Sequence, residues 1–163
     1  MKGIERVLQT TESKSVIIIR LLVGWVFLSE GIQKFLFSDA LGVGRFTRIG
    51  IPAPEIMAPF VGVVEILCGS LILAGLLVRL ACVPLLASMS VAVLSTKIPI
   101  LVGGSLWIFN APKPPYGVWA MLHEARTDFS MLLGLIFLLI VGAGGMSCDA
   151  ALAARGSNST RPR

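Results

Sequence analysis

Four long runs of apolar residues, each nearly free of charge, dominate the hydropathy pattern of this chain. About 20 apolar residues in a helix cross the hydrocarbon core of a bilayer, roughly 30 Å thick. The runs therefore predict an all-α membrane protein, a bundle of four transmembrane helices. The predicted spans are Val16–Phe37, Ile56–Val78, Leu80–Leu101 and Thr127–Met146. A connector at 38–55, a tight turn marked by Arg79 and an aromatic loop at 102–122 join them.

The two ends of the chain are polar and flank one membrane domain. Residues 1–15 form a polar N-terminal segment, 16–148 the membrane domain, and 149–163 a polar tail that we expect to be disordered. The first apolar run is longer than a signal-peptide core and has no A-x-A cleavage pattern, so we interpret it as a span.

The composition supports a membrane environment, because 55% of the residues are hydrophobic and only 14% charged. About a quarter of the residues in a soluble domain are charged. The net charge of +5 comes from basic residues scattered beside the apolar runs, so we expect the lipid bilayer, and no nucleic acid, as a partner. Basic residues are more frequent on the side of the termini, which predicts cytoplasmic termini in a multi-pass protein of the cell inner (plasma) membrane.

The cysteines and the single histidine exclude some redox chemistry. Cys68, Cys82 and Cys148 form neither a CxxC motif nor a zinc-site spacing, so no metal site is predicted. We interpret them as small apolar fillers. One histidine excludes a bis-histidine haem within this chain alone.

Ionisable residues inside the predicted spans are the candidate chemistry. Each charge in the hydrocarbon region costs at least about 2.5–3.5 kcal/mol on insertion scales, so such residues pair or serve a pathway. In the predicted topology they share the outer half of the bundle, with the 107–119 loop above them as a lid. The candidate ligand-pocket residues are Glu65, Lys97, His123, Glu124, Asp128, Glu30 and Lys34.

A structural role for the same charges is the alternative. Glu30–Lys34, Glu65–Lys97 and Arg126–Asp128 would then be neutralising pairs that set helix register, since a buried pair is weak evidence of function. His123 would be an interface anchor instead of an acid–base group.

Two further predictions concern single charges. Glu65 shares a helical face with Ala58, Gly62 and Gly69, so it should face the bundle and contact Lys97 or Lys34. Arg20 and Arg79 are interpreted as snorkelling topology anchors.

Four segments of the chain carry a recognisable family pattern, namely RLLVGWVFLSEGIQKF, FTRIGIPAP, VVEILCGSLILAGLLVRLA and the glycine-rich ending GAGGMSCDAAL. They resemble the DoxX family of small four-helix membrane proteins. The resemblance covers about residues 16–152. The family takes its name from subunits of an archaeal thiosulfate:quinone oxidoreductase, so the resemblance implies a link to quinones or sulfur redox.

Two functional hypotheses follow. In the first, the chain is a membrane subunit or accessory protein of a quinone-linked or sulfur redox system, with other membrane or redox subunits as partners. A pocket between spans two, three and four would hold a quinone, with Lys34, Lys97 and His123 bonding its carbonyls and Glu65 or Asp128 relaying protons. In the second, it is a non-enzymatic, partner-binding or small-solute-handling protein with structural ion pairs. No motif identifies an enzyme, and a bound quinone distinguishes the two hypotheses.

Overall fold

The computed structural model describes residues 11–110 and 113–159, with side chains described as far as Ala154. This part of the chain is helical apart from turns, loops and one isolated β-bridge between Leu106 and Phe109. The helices are α1 (Val16–Leu36), α2 (Ser38–Leu41), α3 (Val43–Ile49), α4 (Pro54–Ala74), α5 (Val78–Ala92), a π-helical segment (Val93–Lys97), α6 (Ile98–Val102), α7 (Val118–Val141) and α8 (Cys148–Ser159).

Three stretches of helix in the described part of the chain are long and apolar enough to cross a membrane. They are Val16–Leu36, Pro54–Ala74 and Val78–Val102, the last running through α5, the π-helical segment and α6. Helix α7 has 24 residues, but every 18-residue stretch of it contains Glu124, Arg126 and Asp128. The fold is therefore an all-helical one with three candidate membrane spans, and the fourth long helix has a charged first half.

The turn between α4 and α5 differs from the predicted one. Helix α4 ends at Ala74 because Gly75 is left-handed, with φ +70°. Leu77 is also left-handed and precedes the first residue of α5. The turn is as tight as predicted, but residues 75–77 form it. Arg79 instead lies in the first turn of α5 and donates to the carbonyl of Ile140 at 2.8 Å.

The last long helix and the tail also differ from expectation. Helix α7 begins at Val118, well before the predicted Thr127, and ends where Gly142 takes φ +87°. The hydroxyl of Ser147 then accepts the amide N–H of Ala150 at 3.1 Å, which is the usual geometry of a helix N-cap. Helix α8 follows, where the sequence predicts a disordered tail. The first ten residues and residues 160–163 lie outside the described part of the chain.

Glycines bring α1 and α4 into close antiparallel contact. A Cβ on Gly31 would lie 2.7 Å from the carbonyl oxygen of Gly62, and one on Gly69 would lie 2.9 Å from that of Gly24. Small residues at such positions allow two backbones in a membrane to approach closely. The predicted glycine-bearing face of span two therefore packs on Gly24 and Gly31 of span one, and these glycines form a glycine seam.

Arg20 is buried, and its predicted snorkelling is wrong. The side chain is only 3% exposed. It donates to the carbonyls of Ile72 and Leu73 at the end of α4, at 2.9 and 2.7 Å, and to those of Ala143 and Met146 after α7, at 3.1 and 2.6 Å. The last carbonyls of a helix have no partner within the helix and carry partial negative charge. Arg20 therefore joins α1 to the end of α4 and to the loop that follows α7.

Asp149 completes this cluster from the other direction. Its carboxylate accepts the amide N–H groups of Leu77 and Val78 at 2.8 and 3.2 Å. A carboxylate at a helix N-terminus is favourable because the free N–H groups there carry partial positive charge. The start of α8 is thus fastened to the start of α5. Together these contacts fix the end of the bundle that lies away from the cavity described next.

Candidate functional site

A cavity of about 610 Å³ lies among α1, α3, α4, α5, the π-helical segment and α7. Most of its wall is apolar, with Val26, Phe27 and Met131 among the lining residues. Seven charged side chains also line it, namely Glu30, Lys34, Arg45, Glu65, Lys97, Glu124 and Asp128. Six of the seven predicted pocket residues are therefore brought together at one site.

Lys34 and Glu65 form the first ion pair of the cavity wall. Their Nζ and Oε2 atoms are 2.6 Å apart, and the two side chains are 12% and 9% exposed. The glycine seam produces this pair, because it sets α1 against α4 in a register that brings Lys34 within reach of Glu65. The prediction that Glu65 contacts a cation from another span is confirmed. The predicted pairing of Glu30 with Lys34 is wrong, since Lys34 extends across to α4.

Lys97 and Asp128 form the second ion pair, with Nζ and Oδ2 3.2 Å apart. This contact joins the π-helical segment to α7. The alternative pairs Glu65–Lys97 and Arg126–Asp128 are therefore wrong. Arg126 lies on a different side of α7 from Asp128, being only two residues away, and donates to the carbonyl of His123 in its own helix.

The π-helical segment explains how Lys97 reaches the cavity. In an uninterrupted α-helix, Lys97 would lie about 80° around the axis from the buried Met89, eight residues earlier. The wider turn brings Lys97 back towards that buried face. Pro99 favours the irregularity because it has no N–H for the carbonyl of Ser95, and π-bulges are frequent at functional sites. The hydroxyls of Ser95 and Thr96 donate to the carbonyl of Ala92, at 3.3 and 2.6 Å.

Three charged side chains of the wall form no ion pair within the described residues. They are Glu30, Arg45 and Glu124. Arg45 is a site residue that the sequence analysis missed, because it lies in the predicted connector at 38–55. In the structure it belongs to α3, where its neighbour Phe46 is buried. The only sequence signal was the i, i+4 spacing of Arg45 and Ile49, both of which line the cavity.

His123 and the aromatic loop lie outside the cavity. His123 is exposed and borders a separate depression of about 350 Å³ with Lys113 and Pro115. No described residue between 103 and 117 lines the main cavity, so the predicted lid is wrong. The loop is instead held to the end of α3, where the N–H of Asn110 donates to the carbonyl of Ile49 at 2.8 Å. Helix α3 covers the cavity where the loop was expected.

The charges of the cavity restrict what it can bind. Four carboxylates face three cations, which disfavours an anionic ligand. Each lysine ammonium has three N–H donors, and the ion pairs use one from Lys34 and one from Lys97. Donors therefore remain for a neutral acceptor such as a carbonyl. Within the described residues, no three His, Cys, Asp or Glu side chains cluster as metal ligands do.

The fold and site define an integral membrane protein with a partly charged cavity among its helices. A model of the DoxX family matches residues 15–98, just over half of the chain. The chain is also 56% identical over 151 residues to "Uncharacterized membrane protein Rv3486" of Mycobacterium tuberculosis (strain ATCC 25618 / H37Rv). That match covers 92% of this chain and 88% of the relative. No solved structure matches.

The chain therefore belongs to the DoxX family. The matched residues include Glu30, Lys34, Glu65 and Lys97, so they contain the first ion pair and one member of the second. Asp128 and Glu124 lie beyond them.

Proposed function

We propose that this DoxX-family protein binds the head group of a quinone in the charged cavity, as a membrane subunit or accessory protein of a quinone-linked redox system in the cell membrane. Other membrane or redox subunits would be its partners. The observation that carries the proposal is the pair of lysines, Lys34 and Lys97, held in one largely apolar cavity with N–H donors to spare.

The size and lining of the cavity support a small ligand. Small-molecule sites are concave, mostly apolar and about 300–1,000 Å³ in volume, with a few convergent polar groups. The cavity has about 610 Å³ and both features. A quinone carries two carbonyl acceptors, and Lys34 and Lys97 reach the cavity from different helices. The excess of carboxylates favours the quinone over a sulfur oxyanion.

The proposal includes α7 as a fourth span, with both termini in the cytoplasm. The charges that exclude α7 as a span by composition include Glu124 and Asp128, and both of these line the cavity. The second half, from Phe129 to Val141, carries no charge and exposes Phe129 and Ile140 as a lipid-facing helix does. An even number of spans returns the chain to the side on which it began.

The test is binding of decylubiquinone to the full chain in lipid nanodiscs, counted by native mass spectrometry. We expect one bound quinone per chain, weakened by Glu65→Gln, by Asp128→Asn and most strongly by Lys97→Met. Arg126→Gln is the matched control for Asp128→Asn. Arg126 lies on α7 as Asp128 does, but it is exposed and does not line the cavity. Equal binding by all four variants would exclude the cavity as a quinone site.

A non-enzymatic, partner-binding or small-solute-handling protein is the second candidate. It is favoured by one observation, the pairing of both lysines with carboxylates in the cavity wall. Under this alternative the pairs only set helix register. The same variants would then lower the unfolding temperature while the native protein shows no quinone bound.

A further inference from the structure

Helices α4 and α5 form a hairpin that is closed at one end. Residues 75–77 turn the chain, and next to the turn Val78, Ala81 and Cys82 are buried. No cavity-lining residue comes from this closed half, because the lining of α5 begins at Pro84. The cavity therefore belongs to the half of the hairpin away from the turn.

In that half, four side chains of α4 and α5 line the cavity and are also exposed. On α4 they are Met57 and Phe60, which are 37% and 60% exposed, and on α5 they are Ala87 and Val91, the latter 50% exposed. A residue that is both lining and exposed lies at an edge of the cavity. Because these residues come from two neighbouring helices, the edge marks an opening between α4 and α5.

Small side chains on α5 and the following turn keep this opening wide. They recur at helical spacing and are Ala87, Ser88, Ala92 and Ser95, all lining the cavity. Across from them, α4 contributes Val61 and Val64. Small residues on one helix face ordinarily let a neighbouring helix pack closely, whereas here the face borders the cavity.

The opening faces hydrocarbon and not water. Both helices are candidate membrane spans, and the exposed residues of α4 beside Phe60 are apolar, including Val63. On another side of the cavity, α3 inserts the buried Phe46 into the wall. A ligand that enters between α4 and α5 thus comes from the bilayer.

We propose that the cavity opens sideways into the membrane between Phe60 and Val91, and that its ligand is a lipid-soluble amphiphile with an apolar tail. The polar head contacts Lys34 and Lys97, and the tail lies in the opening against α5. The inference rests on the proposed function for the head group and adds the tail and its route of entry.

The test places the photoreactive residue p-benzoylphenylalanine at position 91 of the full chain in nanodiscs containing decylubiquinone. Position 94 is the matched control, since Leu94 is 49% exposed three residues away and does not line the cavity. We expect a covalent adduct with the decyl chain at position 91, little at position 94, and loss of the first adduct in a Lys97→Met background.

The outcomes separate this inference from the proposed function. Equal adduct yields at positions 91 and 94 show quinone dissolved in the surrounding lipid and overturn the lateral opening. Quinone bound by native mass spectrometry without an adduct at position 91 also overturns it, and the head-group site stands. Absence of bound quinone in the unsubstituted protein overturns both.

A second measurement fills the opening directly. Ala87→Trp should abolish binding of decylubiquinone, whereas Val83→Trp, at a lipid-exposed position outside the cavity, should not. An unchanged unfolding temperature of Ala87→Trp shows that the variant is folded. Normal quinone binding by that folded variant contradicts the lateral route.

Discussion

Removing the Lys34–Glu65 pair one residue at a time and then together should separate its structural role from its role in binding. The two side chains are nearly buried and 2.6 Å apart, so Lys34→Met leaves a carboxylate without its cation. Removing one partner of a buried pair costs about 3–5 kcal/mol, because the remaining charge is uncompensated. Replacing both partners by apolar residues is often neutral or stabilising, by about 1–4 kcal/mol.

We therefore expect Lys34→Met and Glu65→Leu each to lower the free energy of unfolding by several kcal/mol, and the double variant to recover most of that loss. Arg45 lines the same cavity as Glu65. If Arg45 moves towards Glu65 in Lys34→Met, the loss of unfolding free energy falls towards the lower end of the 3–5 kcal/mol range, about 3 kcal/mol. The assay is a double-mutant cycle of reversible unfolding in mixed detergent micelles, with decylubiquinone binding measured on the same four proteins.

Two results would refute this reasoning. If the losses of the single variants add in the double variant, the pair is not energetically coupled. If the double variant regains its stability and also binds quinone normally, Lys34 and Glu65 are structural and the cavity needs neither of them. We expect the stability to return and the binding to remain weak.

Three further predictions test the fold. Gly31→Ala should destabilise the protein by about 1–3 kcal/mol through overpacking, because its Cβ would lie 2.7 Å from a backbone oxygen of α4. The control Gly104→Ala should not, because there is open space around its Cβ. Equal unfolding free energies of the two variants would contradict the glycine seam. Arg20→Met should lower the unfolding free energy by more than about 3 kcal/mol, since charged hydrogen bonds each contribute about 1.5–3 kcal/mol, and a value near zero in the same unfolding assay would show that water replaces the arginine. In a chain without its native cysteines, a membrane-impermeant thiol reagent applied to whole cells should label Lys113→Cys and not Ser157→Cys, and the reverse pattern would invert the proposed topology.

The sequence by itself determined the first three long apolar helices and the existence of a charged layer. Span α1 was predicted to within one residue of its observed end, because hydropathy depends on composition along the chain and needs no neighbour. The gathering of Glu30, Lys34, Glu65, Lys97, Glu124 and Asp128 was also predictable, because charges in apolar spans must avoid lipid and therefore face one another. Gly62 and Gly69, on the same helical face as Glu65, indicated which face would be packed.

Only the tertiary structure decided which charges pair and what encloses them. Lys34 pairs with Glu65 because the glycine seam sets the register of α1 against α4, and such a register follows from two backbones in contact. Lys97 reaches Asp128 through a π-helical turn, which hydrophobic periodicity does not reveal. Arg20 is predicted to be a snorkelling anchor, yet it binds two carbonyls at the end of α4 and two in the loop after α7. These carbonyls come together only in the folded bundle. A local pattern specifies what each segment must bury, whereas the partner that buries it depends on how the segments pack.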